Sequence, residues 1–385
     1  MSSNNDFLGR EDLLLRLWQE LEHRSFLLVG PRRIGKTALL KQMARVPAKG
    51  WSVVRVDVEG LGSVENAVEA ITTALQHAGL LKTSLQETTN RIENVTVAGT
   101  GVSLRPKEGE REPWLRLEKH LQAVLKDMKP EQRLLLALDE VPWWLDEIRQ
   151  SQGERAARGT LANLRRLRQQ EGLSSKLRMI LTGSMGLAGL ARSLDASAEL
   201  NDLQPEVEVP PLKQAAGAAL FEAQVAIRKV QCPPDVAAAA HDLTGGSPHW
   251  IKALAAKAAA SGHRPGHQLN HKDLDIAVEA LLHPKLRDQF DDEGRSHLIR
   301  RHGRPKAARM AAILDAALDA PVPESSLVAA AMSGIDAPNP REIRELIYTL
   351  VDEFYLSVES INKQNQYTFT NPLFQRWWKR YGGEL

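Results

Sequence analysis

Short apolar runs alternate with helically spaced stretches through the first half of the chain. Phe26–Val29, Leu134–Leu138 and Met179–Leu181 are unbroken apolar runs, and Trp51–Val58 is an apolar-rich one interrupted by Ser52, Arg55 and Asp57, the pattern of buried strands. Glu11–Glu22, Ala38–Ala44 and Val64–His77 place apolar residues three and four positions apart, which predicts helices. Strand–helix alternation of this kind predicts an α/β fold with a parallel sheet. Residues 82–112 interrupt the alternation. There Val95–Val97 and Val102–Leu104 flank Ala98-Gly99-Thr100-Gly101, predicting an inserted hairpin. The charged run that follows it is either a solvated excursion or a contact for a partner.

Pro210-Pro211 marks a boundary. Residues 212–282 turn Ala-rich and helical, with little strand pattern. From about 284 the pattern changes again. Ala307–Ala317, Glu324–Met332 and Pro340–Glu353 read as helices, the last capped by Asn339, and Tyr355–Val358 and Tyr367–Thr370 flank the polar turn Asn362–Gln366. Three helices and a hairpin predict a winged helix. The expected organisation is an α/β core over 1–210, a helical domain over 211–283 and a winged-helix domain over 284–385.

With 385 residues, about two or three domains are expected at roughly 100–200 residues each. Hydrophobic residues at 43% and charged residues at 25% exclude a disordered or fibrous chain. No apolar run approaches the roughly 18 residues of a membrane span, so no membrane association is expected. The N-terminus MSSNNDFLGRED lacks an apolar core behind a basic start, and no secretory signal is expected. The single Cys232 makes neither an internal disulfide nor a multi-cysteine zinc site. A reducing, cytoplasmic setting fits. The histidines show no H-E-x-x-H motif, which leaves a zinc hydrolase unsupported.

The candidate chemistry lies after the first apolar run. Gly30-Pro31-Arg32-Arg33-Ile34-Gly35-Lys36-Thr37 follows a strand and opens a helix at Ala38, the context that the G-x-x-x-x-G-K-[ST] motif needs. Backbone N–H groups of such a loop and helix start face a polyanion. Gly35 lets the backbone approach closely, Lys36 is a compact cation for the β- and γ-phosphates, and the Thr37 hydroxyl is a hard ligand for Mg2+. The run Leu134–Leu138 ends in Asp139-Glu140, at the sheet edge where α/β ligands sit. Asp139 is the expected metal partner, and Glu140 the base that deprotonates the attacking water. The run Met179–Leu181 ends in Thr182-Gly183-Ser184. A hydroxyl there, Thr182 by preference, contacts the γ-phosphate or the water, or else caps the following helix.

Together FLGRED, GPRRIGKT, LLLALDE, ILTGS, a late GGSP and the closing YTFTNPLFQRWWKRY resemble the archaeal-type P-loop ATPase family, near the border of the AAA+ and STAND ATPases. The resemblance covers most of the chain. It implies an ATPase core, a small helical lid over 211–283 and a winged-helix module, with ATP and Mg2+ as cofactors. Phe7-Leu8-Gly9-Arg10 matches the family segment beside the adenine, and is otherwise a turn before a helix. Gly246-Ser247-Pro248 resembles the small-x-Pro motif with which STAND-type lids touch the base. It also reads as a helix start.

Partners are less determined. From His283 to Leu385 there are 14 Lys+Arg and 14 Asp+Glu, so the winged helix lacks the basic surplus of a strong duplex binder. The stretch from Arg295 to Arg309 is locally basic and reads as a linker. Arg155, Arg158, Arg165 and Arg166 share one face of a predicted helix. Such a stripe contacts threaded nucleic acid, supplies a neighbouring subunit's active site in a nucleotide-dependent homo-oligomer, with Arg165 or Arg166 favoured, or is merely solvated. Trp143 and Trp144 follow the acidic pair and pack the core, gate the pocket or form an interface. The expected activity is that of an ATP-hydrolysing switch associated with double-stranded DNA. The alternative is a STAND-like signalling ATPase whose winged helix binds a protein.

Overall fold

The computed structural model describes residues 8–81, 113–183, 186–261, 267–283, 290, 294–319, 321–332, 339–361 and 363–382. The hairpin expected within 82–112, Phe7 and Ser184 lie outside them. In chain order the first half comprises α1 (Glu11–His23), β1 (Phe26–Val29), α2 (Lys36–Arg45), β2 (Trp51–Asp57), α3 (Val64–His77), α4 (Pro113–Asp127) and β3 (Arg133–Asp139). It continues with α5 (Val141–Gln152), α6 (Glu154–Gln169), β4 (Leu177–Thr182), α7 (Leu187–Ser193), a 3-10 turn (Ser197–Leu203) and β5 (Val207–Glu208). The strands form one parallel sheet in the order β2-β3-β4-β1-β5. β4 thus lies between β1 and β3, and all carboxyl ends share one edge.

Alternation along β3 divides the core. Leu134, Leu136 and Leu138 pack with α3, α4, α5 and α6 on one face, while Leu135 and Ala137 pack with α1 and α2 on the other. Side chains of a strand point alternately to opposite faces, so Asp139 lies on the α2 face. The two-residue β5 was not foreseen, because so short a strand has no period to read. It exists because Val207 and Glu208 register against Leu28 and Val29.

The second half begins with α8 (Gln214–Ala226), α9 (Pro234–Thr244), α10 (Pro248–Ser261) and α11 (His271–Leu281). Asn270 caps α11 in a reciprocal box with Asp273. Then come α12 (Arg295–Ala316), β6 (Val322–Pro323), α13 (Glu324–Ala331), α14 (Pro340–Asp352), β7 (Leu356–Ile361), β8 (Gln364–Phe369) and α15 (Pro372–Tyr381). As expected, the Asn339 side chain accepts from Arg341 N–H at the start of α14. The hairpin turn is tighter than predicted, with strands pairing up to Ile361 and Gln364, and β6 adds a third strand beside β8. The C-terminal part is winged-helix-like.

The basic stretch expected as a linker is instead helical. α12 runs back to Arg295 and is kinked at Gly303 (φ 76°, ψ 157°) with Pro305 beside it. The kink breaks the apolar period and hid the first half of the helix. The helical lid and the C-terminal part share one continuous apolar cluster. Trp250 of α10 stacks on Phe290 at 4.3 Å and 6°, and Phe290 on Trp377 of α15 at 5.6 Å. Among the described residues no helix is long and apolar enough to cross a membrane.

Candidate functional site

The chain leaves β1 at Gly30 and enters α2 at Lys36. Gly35 holds φ 108° with nothing within 4 Å of where a Cβ would stand. A side chain there is strained by the backbone and would project into open space. The first helical bond runs from Leu39 N–H to Gly35 C=O at 3.0 Å. The amides of Thr37 and Ala38 therefore point out of the helix end. Arg33 also has positive φ, 60°, so the loop curls into a concave cradle. Ile34 is buried and anchors it, Pro31 and Arg32 are half-buried, and Ala38 is exposed. Lys36 is buried, its Nζ donating to Gly30 O at 2.6 Å and to Pro31 O at 2.9 Å. The ammonium thus lies across the cradle.

Asp139 ends β3 with no surface exposure. Its Oδ2 accepts from Arg55 Nη2 at 2.9 Å, and its Oδ1 has no hydrogen-bond partner among the described residues. An orphaned buried carboxylate oxygen is costly. A half-buried Thr37 hydroxyl at the start of α2 and this oxygen on the α2 face form a hard-oxygen donor set that fits Mg2+. Glu140, the next residue, adopts a left-handed backbone (φ 61°, ψ 37°). Non-glycine residues in that region cost about 1 kcal/mol or more and cluster at functional sites. The turn lifts the Glu140 side chain off the strand. Glu140 is one of the carboxylates that act on Glu59: burial first, then Glu140, Asp57 and Glu147, raise the pKa of Glu59, while Arg32 opposes them. Thr182 is placed differently. Its buried hydroxyl donates to Leu28 O at 2.6 Å, so its proton ties β4 to β1.

The segment before α1 braces the cradle. Arg10 is buried, donating to Pro210 O at 2.6 Å and Ile34 O at 3.1 Å, and burial pulls its pKa down to about 10. Gly9 sits against α8, where a Cβ would meet Ala216 Cβ at 2.4 Å, and Leu8 beside it is half-buried. The lid reaches the same loop. Ser247 Oγ is 3.5 Å from Arg33 O, and the Arg33 guanidinium lies 5.2 Å over the Trp250 ring. Pro248 is the first residue of α10. Burial, with Arg33 and Lys252 nearby, lowers the pKa of His249 to about 4. The three segments Leu8–Arg10, Gly30–Ala38 and Ser247–Pro248 thus form one neighbourhood.

Sequence reading missed a fourth contributor. His297 of α12 meets the Trp143 ring of α5 edge-on at 5.7 Å. Trp144 is the buried one of the pair. At the end of α14, Asp352 accepts from Arg192 of α7 at 3.2 Å, and its carbonyl lies 3.0 Å from where a Cβ on Gly186 would stand. A cavity of about 550 Å3 separates α5 and α7 from α12 and α14, with Glu342, Glu345 and Thr349 on its far wall. One face of α14 is thus turned toward the sheet domain. Only the basic 295–309 stretch hinted at this contact. The arginine stripe is engaged within the chain: Arg158 pairs with Asp195 at 3.8 Å, Arg165 with Glu199 at 3.6 Å and Arg166 with Glu118 at 3.6 Å.

No protein-family model and no curated protein matches the chain. Among solved structures it is similar to a Walker-type ATPase of Pyrococcus abyssi, with a TM-score of 0.67 at 19% identity, covering 98% of this chain and 97% of that one. It is also similar to the ORC2 protein of Aeropyrum pernix in ADPNP–ADP complexes, with a TM-score of 0.55 at 13% identity, covering 97% and 95%. At these identities the likeness is one of fold. The described residues have an AAA+-like P-loop fold with a helical lid and a winged-helix-like C-terminal part.

Proposed function

We propose that the chain binds ATP with Mg2+ and hydrolyses it, and that the nucleotide state governs how the C-terminal elements sit on the sheet domain. One observation carries this reading. β1, β3 and α2 bring the Gly30–Thr37 cradle and the Asp139 carboxylate, whose Oδ1 has no partner among the described residues, to one edge of a parallel sheet. Gly30, Pro31 and Ile34 shape the loop, the N–H groups of Arg32, Arg33 and Gly35 to Ala38 bind the phosphates, and Lys36 exchanges its loop carbonyls for phosphate oxygens. Thr37 and Asp139 hold the metal, which when bound screens phosphate charge. Glu140 takes the proton of the attacking water. Leu8, Gly9, Arg10 and Pro248 border the base, and Thr182 keeps β4 in place beside the phosphates.

Binding of a fluorescent ATP analogue and phosphate release test this assignment together. Lys36→Ala abolishes binding. Glu140→Gln keeps the affinity within about threefold and loses turnover by about 10²–10⁴-fold. Unchanged turnover in Glu140→Gln overturns its role as base.

For the partner, the face of α14 that lines the cavity carries the acids Glu342 and Glu345, and an acidic face favours a protein-docked switch over a duplex. Double-stranded DNA is the second reading, favoured by Arg304 and Lys306, exposed beside the Gly303 kink. Steady-state hydrolysis with and without duplex DNA at two salt concentrations separates them. Salt-sensitive stimulation selects DNA, and a rate indifferent to DNA selects a protein.

A further inference from the structure

We propose that Arg55 is the resident counterion of the metal-binding carboxylate and sets how much Mg2+ the site requires. The inference rests on the reading of Asp139 as a metal ligand. β2 and β3 pair in register, with Asp57 opposite Asp139 and Arg55 opposite Ala137. Ala137 belongs to the cluster on the α2 face, so alternation puts Arg55, Asp57 and Asp139 on that face too. There Arg55 Nη2 lies 2.9 Å from Asp139 Oδ2 and 3.1 Å from Asp57 Oδ2. The guanidinium straddles two unequal carboxylates. The Asp139 side chain is 1% exposed and that of Asp57 50%. Arg55 Nε is itself buried without a hydrogen-bond partner among the described residues.

A buried carboxylate is tolerated only beside a positive charge. Arg55 supplies that charge on Oδ2 and leaves Oδ1 open on the same carboxyl group. A divalent cation at Oδ1 and a guanidinium at Oδ2 repel strongly at so short a range, in a site that water screens poorly. Metal entry therefore weakens the Arg55–Asp139 pair. Asp57, already within reach and better solvated, receives the guanidinium. The metal must displace a charge, so it binds well only when nucleotide phosphates add their own attraction. Arg55 thereby couples metal binding to nucleotide binding and keeps the site from filling with Mg2+ alone.

The test is a titration of fluorescent ATP binding with MgCl2 on the full chain. Arg55→Gln lowers the Mg2+ midpoint about tenfold, and leaves nucleotide affinity in EDTA within about twofold. Asp57→Asn removes the alternative partner and raises the midpoint about threefold, an effect that vanishes in the Arg55→Gln background because the two residues act as a pair. An unchanged midpoint in Arg55→Gln overturns the proposal. Should that variant not fold, the half-exposed Asp57→Asn decides, and an unchanged or lowered midpoint overturns it. Asp139→Asn tells the two failures apart. If it raises the midpoint while Arg55→Gln does not lower it, only the Arg55 inference falls. If Asp139→Asn leaves the midpoint unchanged, the metal reading falls and the inference with it.

Discussion

His297 is a buried base whose Nδ1 has no hydrogen-bond partner among the described residues. Burial lowers its pKa to about 3, and Arg32, Arg301 and His302 act in the same direction against the upward pull of Glu353. It is neutral in the fold at every ordinary pH. In the unfolded chain it gains a proton near pH 6.5, so stability falls as pH drops from about 6.5 toward 3. At pH 5 the loss from His297 alone is about 2 kcal/mol. His249, lowered to about 4, adds to the same trend. Glu353 adds to it as well: burial alone would raise its pKa, but its hydrogen bond with His302 and the charge of Arg301 hold it below the usual range. That stabilisation, too, is lost in acid. Urea unfolding at pH 7 and pH 5 measures the effect. The difference shrinks by about 2 kcal/mol in His297→Gln, which has no charge to gain. An undiminished difference in that variant removes His297 as the acid-sensitive group. No motif marks this histidine, because its neutrality follows from what α5 and α12 pack around it.

α6 shows how far a single element's sequence can be read. Its wheel separates Ala157, Leu161, Leu164 and Leu167, all buried, from the arginines, as periodicity predicted. Periodicity did not predict where the arginines go. Arg165 and Arg166 are partly exposed ion pairs at 3.6 Å, and pairs of that kind contribute about 0–1 kcal/mol. Arg168 lies off the stripe with its side chain 2% exposed, bidentate to Asp202 at 2.8 and 2.9 Å and also donating to Glu199 O at 2.8 Å. Removing one partner of a buried pair strands the other charge and costs about 3–5 kcal/mol. Chemical denaturation is therefore expected to separate Arg168→Ala, at about 3–5 kcal/mol, from Arg166→Ala, at under about 1 kcal/mol. Equal losses would mean that burial does not rank these arginines. The 3-10 turn that supplies Glu199 and Asp202 is distant in sequence, and only the packed fold brings it to α6.

At the scale of the whole molecule, the apolar core is divided between the two faces of the parallel sheet and one cluster that runs from the lid through the C-terminal part. The stack Trp250–Phe290–Trp377 crosses the boundary expected near residue 283. Trp377→Ala is expected to destabilise lid and C-terminal part together by about 3–5 kcal/mol. Hydrogen exchange should then rise in α10 and α15 alike and stay unchanged in β1 and β3; a rise confined to α15 would separate the two parts. The strands β1 to β4, the helix-forming cradle from Gly30 to Thr37 and the acidic pair at Asp139 were legible in the linear chain. Each depends on neighbours in sequence: a run of apolar residues, a glycine where φ is positive, a carboxylate at a strand's end. The Leu28 partner of Thr182, the Arg55–Asp139 pair, the β5 edge, the inward face of α14 and the neutral His297 were decided only by tertiary structure. These features rest on burial and on charges brought together from distant parts of the chain, and periodicity carries no record of which distant group arrives.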